Sequence, residues 1–174
     1  MQIKAVVYQS ATGHTKRYAE MFAAKTGLPL YTLQEAKKAL SKGDEIIYFG
    51  WILSGKIQGF EPAWTDYEVK AVASVGLYPD SARFRNHIGR NNIIIDMEYF
   101  HLRGGIKTGE LKGGAKILMK IMMKTIEKKL EKGQQVTPEE LEMHDAYKNS
   151  ADFVSEEQLA GIYAWYDSYC ADAQ

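Results

Sequence analysis

The sequence predicts an α/β fold in three layers: a largely parallel sheet with helices on both faces. Three observations predict it. Ile46-Ile47-Tyr48-Phe49 and Ala71-Val72-Ala73-Ser74-Val75 are near-continuous apolar runs, as strands covered on both faces require. Segments with helical spacing or capping signals lie between such runs, which implies βα units. The chain's 174 residues are 45% hydrophobic and 25% charged, enough for a single domain, 1–174, with a core of its own.

The elements follow in order. Residues 2–9 alternate and then run apolar up to Ser10, a first strand. Ser10-Ala11-Thr12-Gly13-His14-Thr15 is small and polar and opens into a helix over Lys16–Lys25. Tyr18, Ala19, Phe22 and Ala23 recur there at helical spacing, and Gly27 with Pro29 marks the stop. Leu28–Leu33 is a short second strand, and Gln34–Leu40 a helix closed by Gly43. Asp44–Trp51, Lys70–Leu77 and Asn92–Phe100 are the third, fourth and fifth strands, the last through Ile93-Ile94-Ile95. Short helices are expected around 60–67 and 81–89.

The C-terminal third differs. Residues 112–132 form a helix pattern with seven lysines against two glutamates, a local charge of +5. Lys116, Lys120, Lys124 and Lys128 share a broad face with Glu127 and Glu131. Leu118, Met119, Ile121, Met122, Met123, Ile126 and Leu130 are expected on the other. Two readings stand: a core helix with a solvated lysine face, or an amphipathic surface that meets anionic lipid or a redox partner. Thr137-Pro138-Glu139-Glu140 and Ser155-Glu156-Glu157-Gln158 read as capping boxes. The second opens a last helix with Leu159, Ile162, Tyr163, Tyr166 and Tyr169 on one side.

Composition narrows the function classes. Lysine plus arginine equals aspartate plus glutamate, 22 against 22, so no nucleic-acid partner is expected. Cys170 is the one cysteine, which excludes an internal disulfide and a cysteine-based zinc site. His87, His101 and His144 lack metal-ligand spacing and read as structural or surface residues. Arg83, Arg85 and Arg90 read as solvated surface. No apolar run approaches the length of a membrane span, and no leader peptide is expected before the first strand. The expected location is cytoplasmic, with the lysine-rich helix offering peripheral contact at the inner face of a membrane.

An open parallel sheet binds ligands beyond the carboxyl ends of its strands, so the loop after the first strand is the first candidate site. It leads into a helix N-terminus, where free N–H groups and the dipole favour an anion. Ser10, Thr12 and Thr15 add hydroxyls, and Gly13 allows close approach of the backbone. Other phosphate loops are excluded: there is no P-loop lysine motif, no Gly-x-Gly-x-x-Gly and no cysteine in the loop. The acidic cluster that a phospho-acceptor domain needs after its first strand is missing too. A plain N-cap remains the simpler alternative.

Ser10-x-Thr12-Gly13-x-Thr15 resembles the FMN-phosphate signature of the flavodoxins. The resemblance extends to Gly50-Trp51-Ile52-Leu53-Ser54-Gly55-Lys56 and to Val75-Gly76-Leu77-Tyr78-Pro79-Asp80, which stand where the second and third flavin loops would be. Gly104-Gly105, Leu118–Lys124 and Asp152-Phe153-Val154-Ser155 are similar to the flavodoxin-domain branch of menaquinone-linked protoporphyrinogen dehydrogenases. The resemblance implies a flavodoxin-like three-layer sandwich with five parallel strands in the order 2-1-3-4-5. It implies that Ser10, Thr12, Gly13, His14 and Thr15 hold the FMN phosphate. It also implies that Trp51, Ile52, Leu53, Ser54 and Gly55 line the isoalloxazine ring, with Gly76, Leu77 and Tyr78 on its other side.

At His14 the backbone N–H is expected to matter more than the ring, which could face solvent. Trp51 is either a ring contact or ordinary packing, and Tyr78 is an exposed loop residue unless a flavin covers it. The function implied is an FMN-dependent oxidoreductase whose partner is a redox protein or a quinone. Two alternatives stand: a soluble electron carrier without a dedicated substrate, and a flavin-free binding module. Soluble carriers of this family are strongly acidic, whereas this chain has a pI of 6.9. No residue is assigned a catalytic role.

Overall fold

Glu45–Leu53 and Glu68–Gly76 lie side by side at the centre of the sheet because each is apolar on both faces. The computed structural model describes residues 2–172. In chain order the strands are β1 (Ala5–Gln9), β2 (Leu30–Thr32), β3 (Glu45–Leu53), β4 (Lys56–Ile57), β5 (Glu68–Gly76) and β6 (Glu98–Arg103). The helices are α1 (His14–Thr26), α2 (Leu33–Ala39), α3 (Phe60–Asp66), α4 (Ala82–Asn92), α5 (Gly113–Glu131), α6 (Pro138–Asn149) and α7 (Ala160–Asp172). The neighbour order is β2-β1-β3-β5-β6, all parallel, with β4 antiparallel on β3.

Alternate residues of each strand feed separate cores. Val6, Ile47, Phe49, Ala73 and Val75 pack against Tyr18 and Phe22 of α1 and Ile162 and Tyr163 of α7. Ala5, Val7, Ile46, Tyr48 and Val72 pack against Ala36, Phe60, Ala63 and Ile88 on the other face. Lys70 is an extra residue in β5: Ile46 pairs with Val69, and Ile47 with Ala71. That bulge keeps both faces apolar on either side of it. A third core stands apart. Leu77, Ile106 and Leu111 meet Met123, Ile126, Met143 and Ala146, so α5 and α6 form a hairpin over the carboxyl edge of the sheet.

Several expectations are corrected. The sheet has six strands instead of five, because β3 runs on to Leu53 and folds back through Ser54-Gly55 into β4, which shifts the numbering of the order. Ser54 and Gly55 have φ of 52° and 77°, the left-handed pair that a two-residue hairpin needs. The fifth long strand is Glu98–Arg103, not Asn92–Phe100. α4 continues through Asn92 and ends on Ile93 at φ 53°, which leaves Ile93 and Ile95 exposed. Pairing with Ala71–Gly76 sets the register of β6, and the isoleucine triplet lies before it. α1 begins at His14, two residues earlier than expected.

The Ser155 box does not close: Glu156–Leu159 is a 3-10 turn without a side-chain cap. The Gln158 side chain turns inward instead. Its carbonyl accepts from Arg103 N–H at 2.7 Å and its amide donates to Phe153 C=O at 2.6 Å. The Thr137–Glu140 box is complete, and a second one is formed by Thr32 and Glu35.

Phe22 is fully buried and stacks on Tyr163 at 5.3 Å between ring centroids. Phe22→Ala is expected to cost about 3–5 kcal/mol, read from urea unfolding midpoints. Trp64→Ala should stay within about 0.5 kcal/mol of the parent, because Trp64 is 48% exposed.

Candidate functional site

Parallel strands put every following loop at one edge. Here β1, β3, β5 and β6 all end beneath the α5–α6 hairpin. The chain leaves β1 toward the α1 face and β3 toward the α3 face, so the crevice between these two strands is a topological switch point.

The loop 10–15 is tightly organised. Gly13 caps α1 at φ 88° with open space around the position a Cβ would take, and no side chain caps the helix. Its N–H donates to Ser10 Oγ at 3.1 Å, which leaves the Ser10 hydroxyl hydrogen free. The N–H groups of His14, Thr15 and Lys16 have no acceptor within the helix. Thr12, His14 and Thr15 line a small cavity of about 60 Å³ at this helix start, bounded also by Trp51, Gly104 and Met119.

His14 is buried, not solvent-facing, at 4% exposure. Helix α1 starts at His14 itself, which turns the ring inward between the loop and Gly105. Nδ1 lies 2.9 Å from Thr12 Oγ1, and Nε2 is buried without a hydrogen-bond partner among the described residues. An unpaired lone pair is cheaper to bury than an unpaired N–H, which assigns the proton to Nδ1. Nδ1–H then donates to Thr12 Oγ1, and the Thr12 hydrogen is free to meet an anion. Asp152 Oδ1 lies 4.0 Å from Nε2. Burial holds the His14 pKa below the ordinary imidazole value, against the pull of Asp152. Burial also disfavours charge on Asp152, but the Val154 N–H and the Arg17 guanidinium outweigh it and hold that carboxyl below the usual range.

A larger cleft of about 700 Å³ adjoins the first cavity and shares Ile52, Leu53, Gly76, Leu77 and Met119 with it. One wall is the β3–β4 turn, Ser54 and Gly55. Opposite stand Tyr78 and Phe84, and Met122 and Met143 of the helical hairpin form the roof. Pockets of about 300–1,000 Å³ with mostly apolar linings hold cofactors and small substrates. Tyr78 is half-buried rather than exposed, stacked on Phe84 at 4.9 Å.

A buried chain of hydrogen bonds steadies this wall. His101 Nε2 donates to Tyr78 C=O at 2.9 Å, so Nδ1 is left to accept from Ser74 Oγ at 2.9 Å. Ser74 in turn accepts from Tyr99 OH at 2.8 Å. Burial pushes the Tyr99 pKa up to about 12 and holds that of His101 below its ordinary value.

The residues singled out in the sequence thus fall into groups. Thr12, His14, Thr15 and Trp51 border the small cavity, and Ser54, Gly55 and Tyr78 the large one. Ile52, Leu53, Gly76 and Leu77 border both, whereas Ser10 and Gly13 build the turn. Trp51, Ile52 and Leu53 belong to strand β3 and not to a loop, because β4 pairs with them into a hairpin.

Gly105 and the roof residues border the site although no site role is expected for them from the sequence. Gly105 pairs with Asp152, and a Cβ there would stand 2.6 Å from His14 Nε2 and 2.6 Å from Ala151 O. The Gly104-Gly105 doublet was its sequence signal. Met119 lies in the Leu118–Lys124 stretch of the resemblance, but its place over the cleft, like that of Met143, depends on how α5 and α6 pair. Comparisons with protein families, with curated proteins and with solved structures gave no match to this chain.

His14 and His101 are both held neutral by burial, so unfolding takes up protons once the pH falls below about 6.5, the free imidazole value. Stability should therefore fall from pH 7 toward pH 5 and level off below the folded-state values. Urea midpoints across that range should slope less in His101→Gln than in the parent.

Proposed function

We propose that this protein binds FMN at the carboxyl edge of its sheet and acts as a redox protein. The class is an oxidoreductase, as the resemblance to flavodoxin-type protoporphyrinogen and quinone dehydrogenases implies. One observation carries the reading: the segments 10–15, 51–55 and 76–78 converge, with an anion cradle at one end and an apolar cleft at the other. These are the three segments that the flavodoxin resemblance implies as flavin contacts.

The residues suit the parts of such a cofactor. The N–H groups of His14, Thr15 and Lys16 and the hydroxyls of Ser10, Thr12 and Thr15 would hold the phosphate, aided by the dipole of the thirteen-residue helix α1. The His14 ring orients Thr12 for that role. Ile52, Leu53, Gly76 and Leu77 would bound the ring system, with Trp51 between ring and phosphate. At Gly76 a Cβ would stand 3.2 Å from Ile52 Cδ1, so glycine keeps that wall narrow. Bound FMN supplies one- and two-electron transfer without a protein acid or base. The chain's task is then to place, orient and shield.

The covering hairpin favours an enzyme over a simple carrier. A carrier offers its ring edge directly to partner proteins, whereas Met119, Met122 and Met143 roof this cleft and leave room beside a ring for a substrate. The electron acceptor is either a redox protein or a quinone.

Titration of flavin fluorescence tests the reading. FMN should bind about 100-fold more tightly than riboflavin, and Thr12→Val should weaken FMN about tenfold with little effect on riboflavin. Equal affinity for both flavins would remove the phosphate role of residues 10–15. Absence of binding by either would leave the flavin-free module. Trp51→Ala should change flavin affinity or potential with the fold intact by circular dichroism; no change in either would return Trp51 to packing alone.

A further inference from the structure

We propose that the outer face of α5 is a seat for an anionic lipid surface. The helix does not pack on the sheet. Its underside, with Met119, Met122, Met123 and Ile126, faces the third core, and its outer side is open to solvent. Ile121 and Leu130, expected on the apolar side, are 56% and 44% exposed, and Ile117 is 63% exposed. At 100° per residue Ile117 and Ile121 fall on the middle of the outer face, between Lys120, Lys124 and Lys128.

The face has an excess of positive charge: four lysines share it with two carboxylates, Glu127 and Glu131, a net +2. Lys116, Lys120, Lys124 and Lys128 recur every fourth residue over about 18 Å of helix. Lysines four apart repel one another and oppose the helix. Glu127 is engaged with His144 and Lys148, and Glu140 with Lys129, which leaves Glu131 as the one carboxylate of the face without an ion pair among the described residues. None of the four lysines has an ion-pair partner among the described residues.

The occupant follows from the pairing of these two features. A nucleic acid or an acidic protein would use the lysines and leave two isoleucines in water. A bilayer with anionic headgroups takes both: the lysines meet headgroup charge, and the isoleucines enter the acyl boundary. No helix among the described residues is long and apolar enough to cross a membrane, so contact through α5 is peripheral. The opposite side of the same helix roofs the cleft, which sets the cleft one helix diameter from the lipid.

Sedimentation of the full chain with phosphatidylcholine vesicles, with and without phosphatidylglycerol, tests the proposal. It stands apart from the flavin reading and is run with and without FMN. Binding is expected only with phosphatidylglycerol and should weaken as salt is raised. Each lysine lost should lower partitioning about fivefold, so Lys120→Glu with Lys124→Glu should lower it about 25-fold or more. Ile117→Ser with Ile121→Ser should also weaken binding, whereas Lys38→Glu on α2 should leave it unchanged. Circular dichroism shows whether each variant is folded. Three results would overturn the proposal: no binding at low salt, equal binding to neutral vesicles, or binding that ignores the isoleucine substitutions, since a polyanion site needs the lysines alone.

Discussion

Burial of β3 and β5 on both faces is the constraint from which the rest of the structure follows. Neither strand has a polar face, so helices must cover the sheet above and below. Parallel pairing then sends each connection across a face and returns the chain at the same edge. That edge collects the loop 10–15, the 54–55 turn, the 76–84 segment and the Gly104-Gly105 doublet. The small cavity lies where β1 and β3 part, and the larger cleft opens beside it between the ends of β3 and β5.

The edge is held by polar contacts that the core does not supply. Gly105 pairs with Asp152, Ile106 N–H donates to Ala151 C=O at 2.9 Å, and Phe153 N–H to Gly104 C=O at 3.0 Å. Those bonds draw the end of α6 down to the start of α1, where Asp152 meets Arg17 and stands near His14. On the other side the Tyr99–Ser74–His101–Tyr78 chain fixes the far wall. The site is thus bounded by two networks, one at the anion cradle and one at the apolar cleft. A methyl group at Gly105 would force the first apart.

Helix α5 divides its apolar residues between two uses. Met123 and Ile126 are buried in the hairpin core, while Ile117 and Ile121 face outward among lysines. A helix packed on a sheet would have hidden its whole apolar arc. Because α5 rests on α6 and a few loop residues, a narrow stripe suffices, and the remaining apolar positions are left for another surface.

The sequence by itself determined the layered α/β class, the strands β1, β2, β3 and β5, the caps at Gly27 and Thr137, and the loop 10–15 with its helix N-terminus. Those features are local: they rest on period, capping chemistry and backbone conformation over fewer than about ten residues. Tertiary structure alone decided three things. Pairing with β5 set the start of β6 and made Ile93–Ile95 a turn, although three β-branched residues read as strand. Antiparallel pairing of Gly105 with Asp152 turned His14 into a buried residue, although a histidine at a helix start reads as solvent-facing. Pairing of α5 with α6 chose which face of a lysine- and methionine-rich helix stays in water, because a helical wheel ranks faces by composition whereas packing selects them by partner.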